Sequence, residues 1–159
     1  TSQEVRDELK QTEGSPEVRS RIRAMQRSIA EAGSEARAAL DDVPEAKIII
    51  KNPTHFAVAL KYDETTPTPI IVAMGRGHIA TNIIAIGEKE GIKVIEHVFL
   101  ARALFFSGEI GKEIASELYV AIAAVLAFVY RVERNEDVPF PEFEIPPELL
   151  FDEMGKILN

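Results

Sequence analysis

A chain of 159 residues, 46% of them hydrophobic, can bury one core but not two full-sized ones, so one domain with appendages is expected. A net charge of −8 and a pI near 5.0 exclude nucleic acid as a partner, since that role needs a basic footprint to displace counterions from phosphate. There is no cysteine, so disulfide and thiolate chemistry are absent, which fits a reducing compartment.

Residues 1–42 carry dense charge of both signs and many helix formers. Ser15 followed by Pro16 reads as a helix start, with the serine as N-cap and the proline in the first turn. Val18, Ile22, Met25 and Ile29 then recur at helical spacing, with Arg19, Arg23 and Arg27 beside them. So thin an apolar seam implies a solvated helical linker, or one whose basic residues lie near an anionic membrane surface. Gly33 and Ser34 weaken this helix and residues 41–44 end it.

The next segment is organised as short β-type runs. Residues 47–51 and 56–62 are β-branched or aromatic in character and predict the first two strands, joined by Asn52, Pro53, Thr54 and His55. Residues 65–69 form a stiff polar loop, and 69–74 a third strand. A helix over 79–89 with Ile79, Ile83 and Ile86 inward, closed by Gly91, leads to a fourth strand at 92–96. Strand, helix and strand with this crossover length predict a right-handed parallel unit. The fold class is therefore α/β, with a small mixed four-stranded sheet flanked by helices, an N-terminal linker helix and an extended C-terminal tail.

A short helix over 98–106 and a turn at 107–112 follow. Residues 114–132 form the most apolar helix, with Leu118, Ile122, Val125 and Val129 on one face and alanines permitting close approach. The longest apolar run, 119–130, is too short to span a bilayer, and no signal peptide opens the chain. The self-contained core is expected over 43–132. Residues 133–159 are acidic and punctuated by Pro139, Pro141, Pro146 and Pro147, which predicts a mobile tail with a short helix near Leu149.

Chemistry concentrates at Asn52 and Pro53. In most Asn-Xaa sequences the following backbone nitrogen attacks the asparagine side chain, but proline has no N–H and closes that route. The reverse attack remains: the Asn52 side-chain nitrogen adds to its own backbone carbonyl, forms a succinimide and expels Pro53 as a new N-terminus. An amide nitrogen is a weak nucleophile, so the turn must supply proximity, worth roughly 7–11 kcal/mol in ideal cases. His55 is placed to move the proton and Thr54 to hold the turn, with backbone N–H groups available to the oxyanion. Each molecule would react once, so this is self-processing and not enzymatic turnover.

A rival pattern lies at residues 75–80, where Gly75, Arg76, Gly77, His78, Ile79 and Ala80 match G-x-G-x-x-A between a strand and a helix. That arrangement is a dinucleotide- or anion-binding motif, with an acid at Glu96 for the ribose. Too little chain follows to complete such a fold. His55, His78 and His97 have no metal-ligand spacing, so no metal or cofactor is expected, and no Gly-x-Ser-x-Gly elbow is present.

The Asn52-Pro53-Thr54-His55 turn followed by Ala57-Val58-Ala59-Leu60-Lys61-Tyr62-Asp63 closely resembles the cytoplasmic domain of the FlhB/YscU family. The resemblance takes in Asp42-Val43-Pro44-Glu45-Ala46, Ile71-Val72-Ala73-Met74-Gly75, Leu100-Ala101-Arg102-Ala103-Leu104, Glu109-Ile110-Gly111-Lys112-Glu113-Ile114 and Val125-Leu126-Ala127-Phe128-Val129-Tyr130, about residues 4–131 in all. Met74 stands where the family usually has lysine, and Phe99 where it has proline. The resemblance implies a component of the flagellar or injectisome type III export gate that self-cleaves between Asn52 and Pro53 and takes part in switching export substrate specificity. It implies a membrane region preceding Thr1, placement at the cytoplasmic face of the bacterial inner membrane, and lasting association of the two cleavage fragments. The implied partners are export substrates, a ruler (hook-length control) protein and other export-gate components. The Pro-rich tail resembles flagellar members more than injectisome ones. A constitutive docking platform with incidental cleavage is the alternative within the same frame.

Overall fold

The computed structural model describes residues 40–53 and 56–158. The linker helix expected over most of 1–42, and the side chains of Thr54 and His55, lie outside the described residues.

The chain enters through a turn of 3-10 helix, Val43–Glu45, in which Pro44 occupies the first turn, where its missing N–H is harmless. Ala46 is extended and delivers the chain into β1 (Ile48–Asn52), which is followed by β2 (Phe56–Lys61) and β3 (Ile70–Arg76). Helix α1 (His78–Lys89) leads to β4 (Lys93–Glu96), then come α2 (Val98–Ser107) and α3 (Tyr119–Glu133), the last preceded by a 3-10 turn, Ser116–Leu118. The strand order is β3-β2-β1-β4. Antiparallel pairing joins β3 to β2 and β2 to β1, while β1 and β4 run parallel, so the sheet is mixed as expected. The two strands flanking α1 do point the same way, but they occupy opposite edges of the sheet. Helix α1 thus crosses over both central strands.

The two central strands read as continuous apolar runs because both their faces are covered. Ile48, Ile50, Phe56, Val58 and Leu60 face α2 and α3, where Leu100, Leu104, Leu118, Ile122, Val125 and Val129 complete the larger core. Ile49, Ala57, Ala59 and Ala73 face α1, where Ala80 and Ile83 meet them. Small residues let α1 approach closely: a Cβ at Gly87 would fall 2.3 Å from Ile49 Cδ1. The chain also protects the β3 edge, since Ile71 N–H donates to the Lys112 carbonyl and Gly111 N–H to the Ile71 carbonyl at 2.9 and 2.7 Å.

The tail departs from expectation. Its backbone is extended over 136–146, the short helix expected near Leu149 is a single 3-10 turn, Pro147–Leu149, and a turn closed by a Phe151–Ile157 bridge follows, but the segment is not free of the core. Phe143, Ile145 and Phe151 pack against the larger cluster, and Leu149 is buried within it. Phe140 meets Phe128 edge-on with ring centroids 5.1 Å apart. The prolines rule out regular structure without ruling out docking, because isolated apolar side chains spaced between them still find pockets. No described helix is long and apolar enough to cross a membrane.

Candidate functional site at the first hairpin

Asn52 is the last residue of β1 and pairs with Phe56, the first of β2, leaving residues 53–55 as the connection. The strand holds Asn52 from both sides. On one side lies the ladder to β2; on the other, β4 runs parallel up to Glu96, and the next N–H, that of His97, donates to the Lys51 carbonyl at 3.0 Å. Asn52 is only 4% exposed, whereas Pro53 stands in solvent. The Asn52–Pro53 bond therefore joins the sheet interior to the surface.

The Asn52 side-chain nitrogen Nδ2 is buried and has no hydrogen-bond partner among the described residues. Buried amide donors are almost always paired, and an orphan costs about 1–3 kcal/mol. An orphaned donor also has no bond to break before it moves. This nitrogen is thus buried, unengaged by any described residue and on the same residue as the backbone carbonyl that a cyclisation would use.

Directly opposed residues share a sheet face, so Asn52, Phe56 and Arg76 form a row across β1, β2 and β3. Phe56 is fully buried against Phe105 and Phe106, with ring centroids 4.8 and 5.4 Å away. The Arg76 guanidinium lies over the Phe56 ring at 5.0 Å. Of the four predicted site residues, Asn52 ends β1, buried, and Pro53 follows it in the turn, exposed. Thr54 and His55 lie outside the described residues.

The sequence did not single out His97, which sits just past β4. Its Nδ1 accepts the Leu100 N–H at 3.1 Å and so caps α2, and its ring stacks on Phe143 at 4.9 Å. Burial pushes its pKa below the usual histidine value. Histidine is a poor statistical cap, so only its position immediately before the apolar run at 98–106 signalled the role.

The rival phosphate-binding pattern takes a different form in the structure. Gly75 and Arg76 belong to β3 and are not in a loop; only Gly77, at φ 60°, makes the turn into α1. Gly75 is required because a Cβ there would fall 2.1 Å from Ile79 Cγ2. Since β3 and β4 are separated by two strands, α1 does not begin at the crevice between adjacent parallel strands that a dinucleotide fold uses.

A second surface feature is an apolar groove of about 390 Å³ bordered by Tyr62, Pro69, Tyr119, Ala123, Leu126 and Tyr130. One wall is the loop after β2. Its shape is held by the Asp63 carboxylate, which accepts the Thr65 N–H at 2.8 Å and the hydroxyls of Thr65 and Thr66. These bonds, the Thr65 hydroxyl first, pull the Asp63 pKa below its usual value.

Residues 1–129 match the family described as FlhB, HrpN, YscU and SpaS. The flagellar biosynthetic protein FlhB of Salmonella typhimurium is 43% identical over 154 residues, covering 93% of this chain and 39% of that protein. The FlhB of Aquifex aeolicus is 45% identical over 127 residues, covering 79% of this chain and 35% of that protein. The chain thus spans well under half the length of these relatives. Among solved structures, the cytoplasmic domain of FlhB from Shewanella putrefaciens superposes with a TM-score of 0.67 at 29% identity, covering 73% of this chain and 95% of that one. A mutated EscU C-terminal domain superposes at 0.54 with 29% identity, covering 57% of this chain and 92% of that one.

Proposed function

Because this chain belongs to the family of FlhB, HrpN, YscU and SpaS, we propose that it is the cytoplasmic part of a flagellar protein-export gate component and cuts itself once between Asn52 and Pro53. The observation that carries this reading is the buried Asn52 Nδ2, without a hydrogen-bond partner among the described residues, at the end of a central strand and immediately before an exposed proline.

The reaction proceeds within one residue and its neighbour. Asn52 Nδ2 attacks the Asn52 carbonyl carbon, and a C–N bond forms as the carbonyl oxygen becomes an oxyanion. The bond to Pro53 then breaks, and the proton given up by Nδ2 passes to the proline nitrogen, which leaves as a secondary amine. The first fragment ends in a succinimide that water opens. His55 is the group assigned to carry the proton and Thr54 the group assigned to hold the turn. The fixed β1 backbone supplies orientation.

Cleavage leaves one fragment ending in β1 and another beginning just before β2. Since β1 is buried between β2 and β4, the fragments stay together and the change is confined to the turn. The freed surface of the turn, from Pro53 up to the start of β2, then serves as the switch that export substrates and a ruler protein read, at the cytoplasmic face of the inner membrane. Intact mass under denaturing conditions, beside the same protein run native, tests the cut. Two masses divided between Asn52 and Pro53 from one native species are expected; a single mass after long incubation at mildly alkaline pH overturns the reading.

The apolar groove beside Tyr62 and Leu126 favours a second role, a constitutive docking platform for export substrates. The two roles separate in an uncleavable Asn52→Ala or Pro53→Ala variant: a switch stalls and a platform works as before.

A further inference from the structure

The carboxyl ends of β1, β3 and β4 and the start of β2 meet at one end of the sheet. The tail is laid across this end. Arg76 donates from Nη2 to the Glu153 carbonyl at 3.2 Å. Arg102, on α2, reaches the Phe151 carbonyl at 3.5 Å and the Glu153 carboxylate at 3.6 Å. The Phe151 ring lies 5.4 Å from that of Phe106.

Two features of this seat separate it from ordinary core packing. Both arginines hold the tail through main-chain carbonyls, those of Phe151 and Glu153, at a turn closed by the Phe151–Ile157 bridge and by the Asp152 carboxylate, so the contact reads backbone shape and not side-chain identity. The hold is also incomplete: the Arg102 bond to the Phe151 carbonyl is at the outer limit of length, its contact with Glu153 is an ion pair beyond hydrogen-bond distance, and its Nε is buried without a partner among the described residues. A carboxylate placed side-on against Nε and Nη2 would make the bidentate pair that guanidinium groups favour. The resident segment does not provide it. The tail is itself acidic, with Glu142, Glu144, Glu148, Asp152 and Glu153 interleaved among its apolar anchors, so the seat shows the chemistry it accepts.

We propose that the tail is a tethered, displaceable occupant of this seat, and that the seat takes in trans an acidic peptide turn that sets an aromatic ring on Phe106 and a carboxylate on Arg102. The inference does not rest on self-cleavage, because neither arginine nor the tail takes part in that step. A tethered segment competes at an effective concentration on the order of millimolar, so a trans peptide binds well only where the tail's own anchors are weakened.

The test uses a fluorescent synthetic peptide of residues 138–157 and anisotropy on the whole chain. A Leu149→Ser/Phe151→Ser variant, which loosens the tail and leaves the seat intact, is expected to bind this peptide at least about tenfold more tightly than the unaltered chain. Adding Arg102→Ala to that variant is expected to remove the gain. Equal binding to both chains, or a gain that survives Arg102→Ala, overturns the proposal. Hydrogen exchange on the unaltered chain gives a reading independent of the variant's folding. Excess peptide is expected to speed exchange at the Asp152 and Leu158 amides, which are bonded to Lys156 and Leu150 carbonyls, and not at the amides of α3. Unchanged exchange at those two amides overturns it as well.

Discussion

Assembly of the two halves across the proposed cut can be tested without waiting for the chain to cut itself, by co-expressing residues 1–52 and 53–159 as separate pieces. Ile48, Ile49 and Ile50 are fully buried, as is Val43 ahead of them. Burying four such side chains contributes roughly 6–12 kcal/mol at about 1.5–3 kcal/mol each, before the ladders to β2 and β4 are counted. The pieces are therefore expected to copurify as one native species and to melt at a temperature that rises with concentration, since unfolding now separates two chains. Ile50→Ala removes one anchor of the larger core and should cost about 2–5 kcal/mol. At about 1.4 kcal/mol per tenfold, that weakens association roughly 30- to 5,000-fold, measurable by dilution and sizing. Lys51→Ala, half-buried in the same strand, should change it little. Pieces that part without denaturant, or an Ile50→Ala pair that associates as tightly as the parent, would refute the view that β1 holds the halves together.

Asn52→Ala is expected to leave the chain whole in denaturing mass analysis while changing stability by no more than about 1 kcal/mol, because it also deletes an orphaned buried donor. Gly108→Ala should destabilise by about 1–3 kcal/mol in denaturant melts, since its Cβ would fall 2.6 Å from the Leu104 carbonyl oxygen and 2.2 Å from Ile71 Cδ1. His97 makes stability depend on pH. Its folded pKa is depressed, and only the neutral ring can accept the Leu100 N–H, so its contribution is complete above the unfolded histidine value of about 6.5 and is lost as pH falls through and below it. Melts of the parent chain and of His97→Asn at pH 7.5 and 5 should show the parent losing more stability on acidification; parallel losses would remove His97 from the account.

Much of the fold was legible because the relevant physics is local. Strands β1 and β2 announce themselves as β-branched runs around Asn-Pro, and α3 by its buried stripe of Leu118, Ile122, Val125 and Val129. Asn52 and Pro53 stood out for a chemical reason that needs no fold: proline removes the competing nucleophile, so the reaction expected there is the side-chain attack on the backbone. What local pattern does not carry is which strands become neighbours. The same strand-helix-strand segment fits adjacent strands or opposite edges, and packing α1 over Ala57, Ala59 and Ala73 decided for the edges. The docking of the tail escapes the sequence for a related reason, since prolines report on backbone regularity while docking depends on pockets built by distant residues such as Phe106 and Phe128. By itself the sequence singled out the Asn52–Pro53 bond; the tertiary structure decided that Asn52 Nδ2 is buried with no hydrogen-bond partner among the described residues, and that Arg76 and Arg102 hold the tail across the same end of the sheet. Burial and hydrogen-bond partnership are properties of surroundings, and these surroundings come from segments separated by as much as 77 residues along the chain.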